Sequence, residues 1–157
     1  MKGFIFFVLF LFSLSASVVA QTTLTVTHGP LASPTYIDAG ASGDSVGDVR
    51  IWRFDAQAST NEPAVMDWLM TTTGQVDSAT QLESRMTTSV VTIGSAGKDT
   101  ILLQGIGMYP TAGATLKRNA PLERAVVGGT GRYAGVMGTV YSTHLPDGSW
   151  SHVINLK

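Results

Sequence analysis

The chain of 157 residues carries ten Lys and Arg against eleven Asp and Glu, and it has no cysteine. So even a balance gives no electrostatic reason to expect binding to nucleic acid or to an acidic membrane surface. The lack of Cys excludes disulfide staples, thiol catalysis and Cys-ligated metal, and no Asn-x-Ser/Thr acceptor for N-glycosylation occurs.

The chain opens with Met1, Lys2 and Gly3, an apolar run from Phe4 to Phe12, and a small-residue segment from Ser13 to Ala20 before Gln21. One positive charge, a short apolar core and small residues at Val18 and Ala20 are the parts of a cleavable secretory signal. A membrane anchor needs about 20 apolar residues, whereas this run is diluted by Ser13, Ser15 and Ser17. Residues 1–20 are therefore predicted to be a signal peptide and 21–157 a single exported domain, secreted or held in the secretory-pathway lumen, or periplasmic if bacterial. Without Lys2 the exported part holds nine basic residues against eleven acidic ones. It is long enough for a core that stands without disulfides.

From there on, Thr and Val are frequent, helical periodicity is absent and short alternating runs recur between Gly, Pro, Asn and Asp clusters. The predicted strands are Leu24 to His28, Val49 to Phe54, Ala64 to Thr72, Leu82 to Ile93, Thr100 to Met108, Leu122 to Val127, Gly135 to His144 and Ser149 to Leu156. Asp55 to Pro63 reads as a polar turn, and Gly128 to Gly131 as a tight turn between strands. Alternation puts Arg50, Trp52 and Phe54 on one face, Met66, Trp68 and Met70 on another, and Trp150, His152, Ile154 and Leu156 on a third. An all-β chain with this many short strands must stack as a sandwich or close into a barrel to manage its edges. Spacing leaves both open.

No strong catalytic motif stands out. The Gly128–Gly131 segment lacks the helix and Lys of a phosphate loop. His28, His144 and His152 share no metal-ligand spacing, and no nucleophile elbow marks a Ser-His-Asp set. Asp48 and Arg50, two apart on one strand, share a face and can pair.

The segment Glu123-Arg124-Ala125-Val126-Val127-Gly128-Gly129-Thr130-Gly131-Arg132-Tyr133, with Gly135 and Gly138 after it, resembles the superfamily of dirigent proteins and allene oxide cyclases. Upstream, Gly47-Asp48-Val49-Arg50-Ile51-Trp52 resembles an early Gly-Asp strand of the same superfamily. The resemblance implies a single antiparallel eight-stranded β-barrel with an apolar, one-ended cavity, assembled as a homotrimer. It also implies a cofactor-free activity that guides the cyclisation or isomerisation of a hydrophobic small molecule. Two departures stand out. The first strand has no carboxylate, with His28 near the place of the family's acid, and Met137 replaces an Arg expected before Gly138.

On this reading His28 is the candidate acid or base and Arg50 the candidate stabiliser of developing negative charge. Trp52, Trp68, Tyr109, Tyr133 and Met137 are the candidate pocket residues. The rival reading is a non-catalytic secreted barrel that binds a ligand or carbohydrate. A cavity of about 300 Å³ or more with His28 or Arg50 facing it favours catalysis, whereas an interior plugged by Met66, Met70 and Met137 opposes it.

Overall fold

A computed structural model of the chain describes residues 21–110 and 115–157, so the predicted signal peptide lies outside the described residues. Nine strands follow in order: β1 (Thr22–His28), β2 (Thr35–Ile37), β3 (Val49–Ala58), β4 (Pro63–Gly74), β5 (Leu82–Ile93), β6 (Asp99–Pro110), β7 (Leu122–Thr130), β8 (Gly138–His144) and β9 (Trp150–Leu156). A single 3₁₀ turn, Gly131–Tyr133, links β7 to β8.

All pairings are antiparallel, and neighbours run β1-β9-β8-β7-β6-β5-β4-β3. The ring closes where β1 meets β3, at Val26↔Ala58 and Thr27↔Gln57. Eight strands thus form a closed barrel, the solution that leaves no long open edge. The ninth strand, β2, lies outside the ring on the free part of β3, with Thr35 opposite Ile51 and Ile37 opposite Val49.

Three predicted boundaries move by three residues or more, and one strand is added. Three residues are too few for alternation to reveal β2. Strand β3 continues to Ala58 because Asp55 and Gln57 face solvent while Ala56 and Ala58 turn inward, so the polar residues read as a turn are the outer half of a strand. Likewise β7 runs through Gly128 and Gly129 to Thr130, the turn falls at Gly131–Tyr133, and β8 starts at Gly138 rather than Gly135.

The barrel interior has two unlike halves. Met66, Val91, Ile101, Leu103, Val140 and Ile154 fill one end with essentially no solvent exposure. Burying side chains of this kind contributes about 1.5–3 kcal/mol each. That end is shut. Along β5 the change of character is visible residue by residue, as inward Ile93 and Val91 give way to Ser89, Thr87, Arg85 and Glu83.

Gly138 begins β8 directly against β9. A Cβ there would collide with the backbone carbonyl of Asn155, which is locked in the sheet. Gly138→Ala is expected to cost about 1–3 kcal/mol, read as a lower urea midpoint with an unchanged m-value.

Candidate functional site

At the end opposite the apolar plug, inward positions of six strands supply rings and polar groups. His28 closes β1, Trp52 and Phe54 come from β3, Trp68 and Met70 from β4, Tyr109 from β6, Arg124 from β7, and Trp150 and His152 from β9; with Leu31, Thr115 and Leu116 they line one cavity. Its volume is about 40 Å³. That holds a few waters or the head of a small molecule, and is well short of the expected size. The strap Gly29–Pro34 crosses the mouth, where the Trp52 indole Nε1–H donates to the Ala32 carbonyl at 3.0 Å. Open grooves of about 350 and 440 Å³ flank this strap, and Trp52 contributes to both.

Two imidazoles form a buried chain whose tautomers follow from its ends. His28 Nδ1 lies 2.7 Å from the Gly29 carbonyl, which can only accept, so Nδ1 carries the proton. His28 Nε2 must then accept from His152 Nε2–H at 3.1 Å, and His152 Nδ1 accepts from the Ser142 hydroxyl at 2.9 Å. Both rings are held neutral. Burial pushes His152 down to about 3, reinforced by His28 and Arg124 nearby. Burial also lowers His28, against the opposing effect of its bond to Gly29. The pair stacks near Trp150, with Trp150 and His152 nearly parallel at 6.2 Å.

Arg124 projects from β7 across the interior. Its Nη2 donates to the Tyr109 hydroxyl at 2.7 Å, and its guanidinium carbon sits 5.1 Å from the Trp68 ring centre. Glycines on the inward face of β6 make the room: a Cβ at Gly105 would stand 2.8 Å from Arg124 Cγ, and one at Gly107 would be 2.8 Å from the Tyr109 ring. Burial lowers the affinity of Arg124 for its proton, partly offset by Tyr109.

Beside the cavity lies an ion cluster. Glu83, 1% exposed, binds Arg85 Nε and lies 3.7 Å from Arg50 Nη2, which also faces Asp44 at 3.6 Å. Arg50 Nη1 donates to Thr72 Oγ1 at 3.0 Å. The anticipated Asp48–Arg50 pair does not form. Instead Asp48 accepts from the Tyr36 hydroxyl at 2.6 Å, the Ser45 amide at 2.8 Å and the Ala39 amide at 3.0 Å. Those donors hold its carboxyl well below the usual range, while the same bond pushes Tyr36 up to about 12. Asp48 thereby pins the loop that carries Asp44 to Arg50.

The candidate residues separate accordingly. His28, Trp52, Trp68 and Tyr109 come together at the cavity. Arg50 is buried but turned into the ion cluster and away from the cavity lining. Tyr133 and Met137 belong to the turn after β7 at the opposite end, where Tyr133 packs on the apolar core and Met137 is 64% exposed. Their position in the glycine segment carried no information about which barrel end that segment occupies. Met66 belongs to the apolar plug, Met70 lines the cavity, and Met137 plugs nothing. Arg124, His152, Glu83 and Arg85 were not among the candidates. Their signal was a charged or imidazole side chain at an inward position of an otherwise apolar alternation, as in Trp150-Ser-His152-Val-Ile154. Among the described residues no group of three or more His, Asp or Glu converges as a metal cage.

No family model and no curated protein matches the sequence. Among solved structures, pyocyanin demethylase shares the fold with a TM-score of 0.57 and 21% identity, over 88% of this chain and 100% of that one. A pterocarpan synthase dirigent protein does so with a TM-score of 0.56 and 15% identity, over 92% of this chain and 93% of the other. At such identities the likeness establishes the barrel architecture, in agreement with the fold that the resemblance implied.

Proposed function

We propose that the chain is a small-molecule-binding barrel whose aromatic end holds an apolar, unsaturated molecule and guides its cyclisation or isomerisation without a cofactor. The observation that carries this reading is the cavity itself: a shut barrel whose other end joins five aromatic side chains to a neutral imidazole pair. Both structural neighbours are named for chemistry on a small molecule. Rings at the mouth restrict the conformations of a reactive ligand, and exclusion of water strengthens each polar contact made inside.

In this proposal His28 is the acid or base, because it touches the cavity and is linked through His152 to Ser142. One added proton fits this chain with His28 doubly protonated, its Nδ1–H still on the Gly29 carbonyl and its Nε2–H donated to His152 Nε2, once the His152 proton sits on Nδ1 facing Ser142. Arg50 serves as a positioning residue through Glu83 and Thr72. Export after cleavage behind Ala20 belongs to the same proposal, as does a homotrimer. Self-assembly would cover the exposed neighbours Ile51 and Leu69 on the outer face of β3 and β4.

The test is a screen of the protein against epoxide, quinone methide and polyene substrates, with His28→Ala and Arg50→Ala alongside. The expected result is turnover by the wild type that falls about 100-fold or more in His28→Ala and much less in Arg50→Ala. The small cavity favours one rival, a barrel that binds without reacting. Saturable binding with no conversion across the panel would establish that rival instead, and absence of binding would sink both.

A further inference from the structure

Arg124 is a cation that no carboxylate among the described residues neutralises. It is 3% exposed. Its Nη2 is used by Tyr109, while Nε and Nη1 are buried with no acceptor. A buried guanidinium with unmade hydrogen bonds is costly, since each N–H has lost water and gained nothing. Other buried cations nearby are treated differently. Arg50 has Glu83, Asp44 and Thr72, and Arg85 has Glu83.

The position of the unsatisfied group is as telling as its charge. Arg124 lines the cavity, with the Trp68 ring on its face and Tyr109 fixing its far nitrogen. Gly105 is kept free of a side chain where the Arg124 stem passes. The remaining polar lining, His28 and His152, is uncharged, so it neither repels nor replaces an anion. A volume of about 40 Å³ suits a carboxylate-sized head. A larger apolar body would rest on Trp52, Leu31 and Trp150 at the mouth.

We propose that Arg124 is the anion-binding group of this cavity, and that the ligand is an apolar, conjugated molecule carrying one planar oxyanion, a carboxylate or its enolate or phenolate equivalent. The oxyanion accepts from one of the unmade N–H groups of Arg124, at Nε or at Nη1, and its body lies against Trp68 and the rings at the mouth. This rests on the reading of the barrel as a small-molecule site and narrows it to a charge class.

The matched probes trans-cinnamate and trans-cinnamamide test it, with neutral naphthalene as a third probe, by ligand-observed NMR and tryptophan fluorescence at pH 7 on the wild type, Arg124→Lys and Arg124→Gln. The acid is expected to bind the wild type about 10- to 100-fold tighter than the amide, the range of a charge-assisted hydrogen bond. That preference should persist in part in Arg124→Lys and vanish in Arg124→Gln. Equal affinities of acid and amide for the wild type would overturn the proposal, as would a preference that survives in Arg124→Gln. The wild-type ratio decides the matter even if Arg124→Gln fails to fold. Binding of naphthalene without cinnamate would remove the anion subsite and leave the small-molecule reading standing, whereas failure of all three probes would remove both.

Discussion

Glu83→Gln is expected to lower the unfolding free energy by about 3–5 kcal/mol, the range for removing one partner of a buried ion pair. The carboxylate is 1% exposed inside the barrel and lies between the Arg85 and Arg50 guanidinium groups. Gln keeps the size of the side chain and removes its charge. The two buried guanidinium groups would then lose the carboxylate between them, and the 27% exposed Asp44 would be the carboxylate left facing Arg50. Urea unfolding at neutral pH measures the loss. The outer-surface pair Arg53 with Asp67 is the internal control, because its side chains are 69% and 43% exposed at 2.6 Å. Arg53→Gln should cost no more than about 1 kcal/mol. A loss below about 1 kcal/mol for Glu83→Gln would show that water reaches the cluster and that the interior there is not dry.

The second large effect is acid sensitivity above the range of ordinary carboxylates. His152 titrates near 6.5 when unfolded and at about 3 when folded, because burial opposes its charged form. A depressed folded value means that the stabilisation is complete above pH 6.5 and is lost as the pH falls toward 3, since the unfolded chain takes up the proton first. Between pH 7 and 4.5 this single ring should remove about 2–3 kcal/mol, and His28, also lowered, adds to the loss. Asp48, Glu62, Asp77 and Asp147 are also held below their usual values, so their stabilisation is lost only at lower pH and the two windows are separable. Unfolding free energies across this pH interval should fall steeply for the wild type and far less for His152→Gln. Parallel curves for the two proteins would mean that His152 is not the responsible group.

Much of this barrel was legible from period-two alternation. Strands β4, β5 and β9 follow it closely enough that the inward faces of Met66, Trp68 and Met70, and of His152, Ile154 and Leu156, could be read directly. Where outer residues are polar and inner ones small, as in Asp55-Ala56-Gln57-Ala58, the same pattern mimics a turn. The site was harder to read for a different reason. A strand pattern says which face a residue occupies but not which end of the cylinder, and that distinction separates Tyr109 in the cavity from Tyr133 beneath the plug. Arg124 and Glu83 defeat hydropathy more directly, because their charges point inward, where Glu83 is met by Arg85 and Arg50, and Arg124 by the Tyr109 hydroxyl and the Trp68 ring.

The pairing of β1 with β9 also constrains the order of folding. Thr23 and Asn155 bond across 132 residues of sequence, so the ring cannot close until both of its outermost strands are available together. Hairpins such as β4 with β5 and β5 with β6 can form locally and early, leaving an open, curved sheet with exposed lips at β3 and β9. Loop-closure entropy grows only slowly with length, yet such distant pairing belongs to the slow end of two-state folding. Strand β1 must bridge both lips, β9 along its whole length and β3 at two residue pairs. It acts as the last stave of the cask, and the cavity with its His28 wall exists only after that stave is seated.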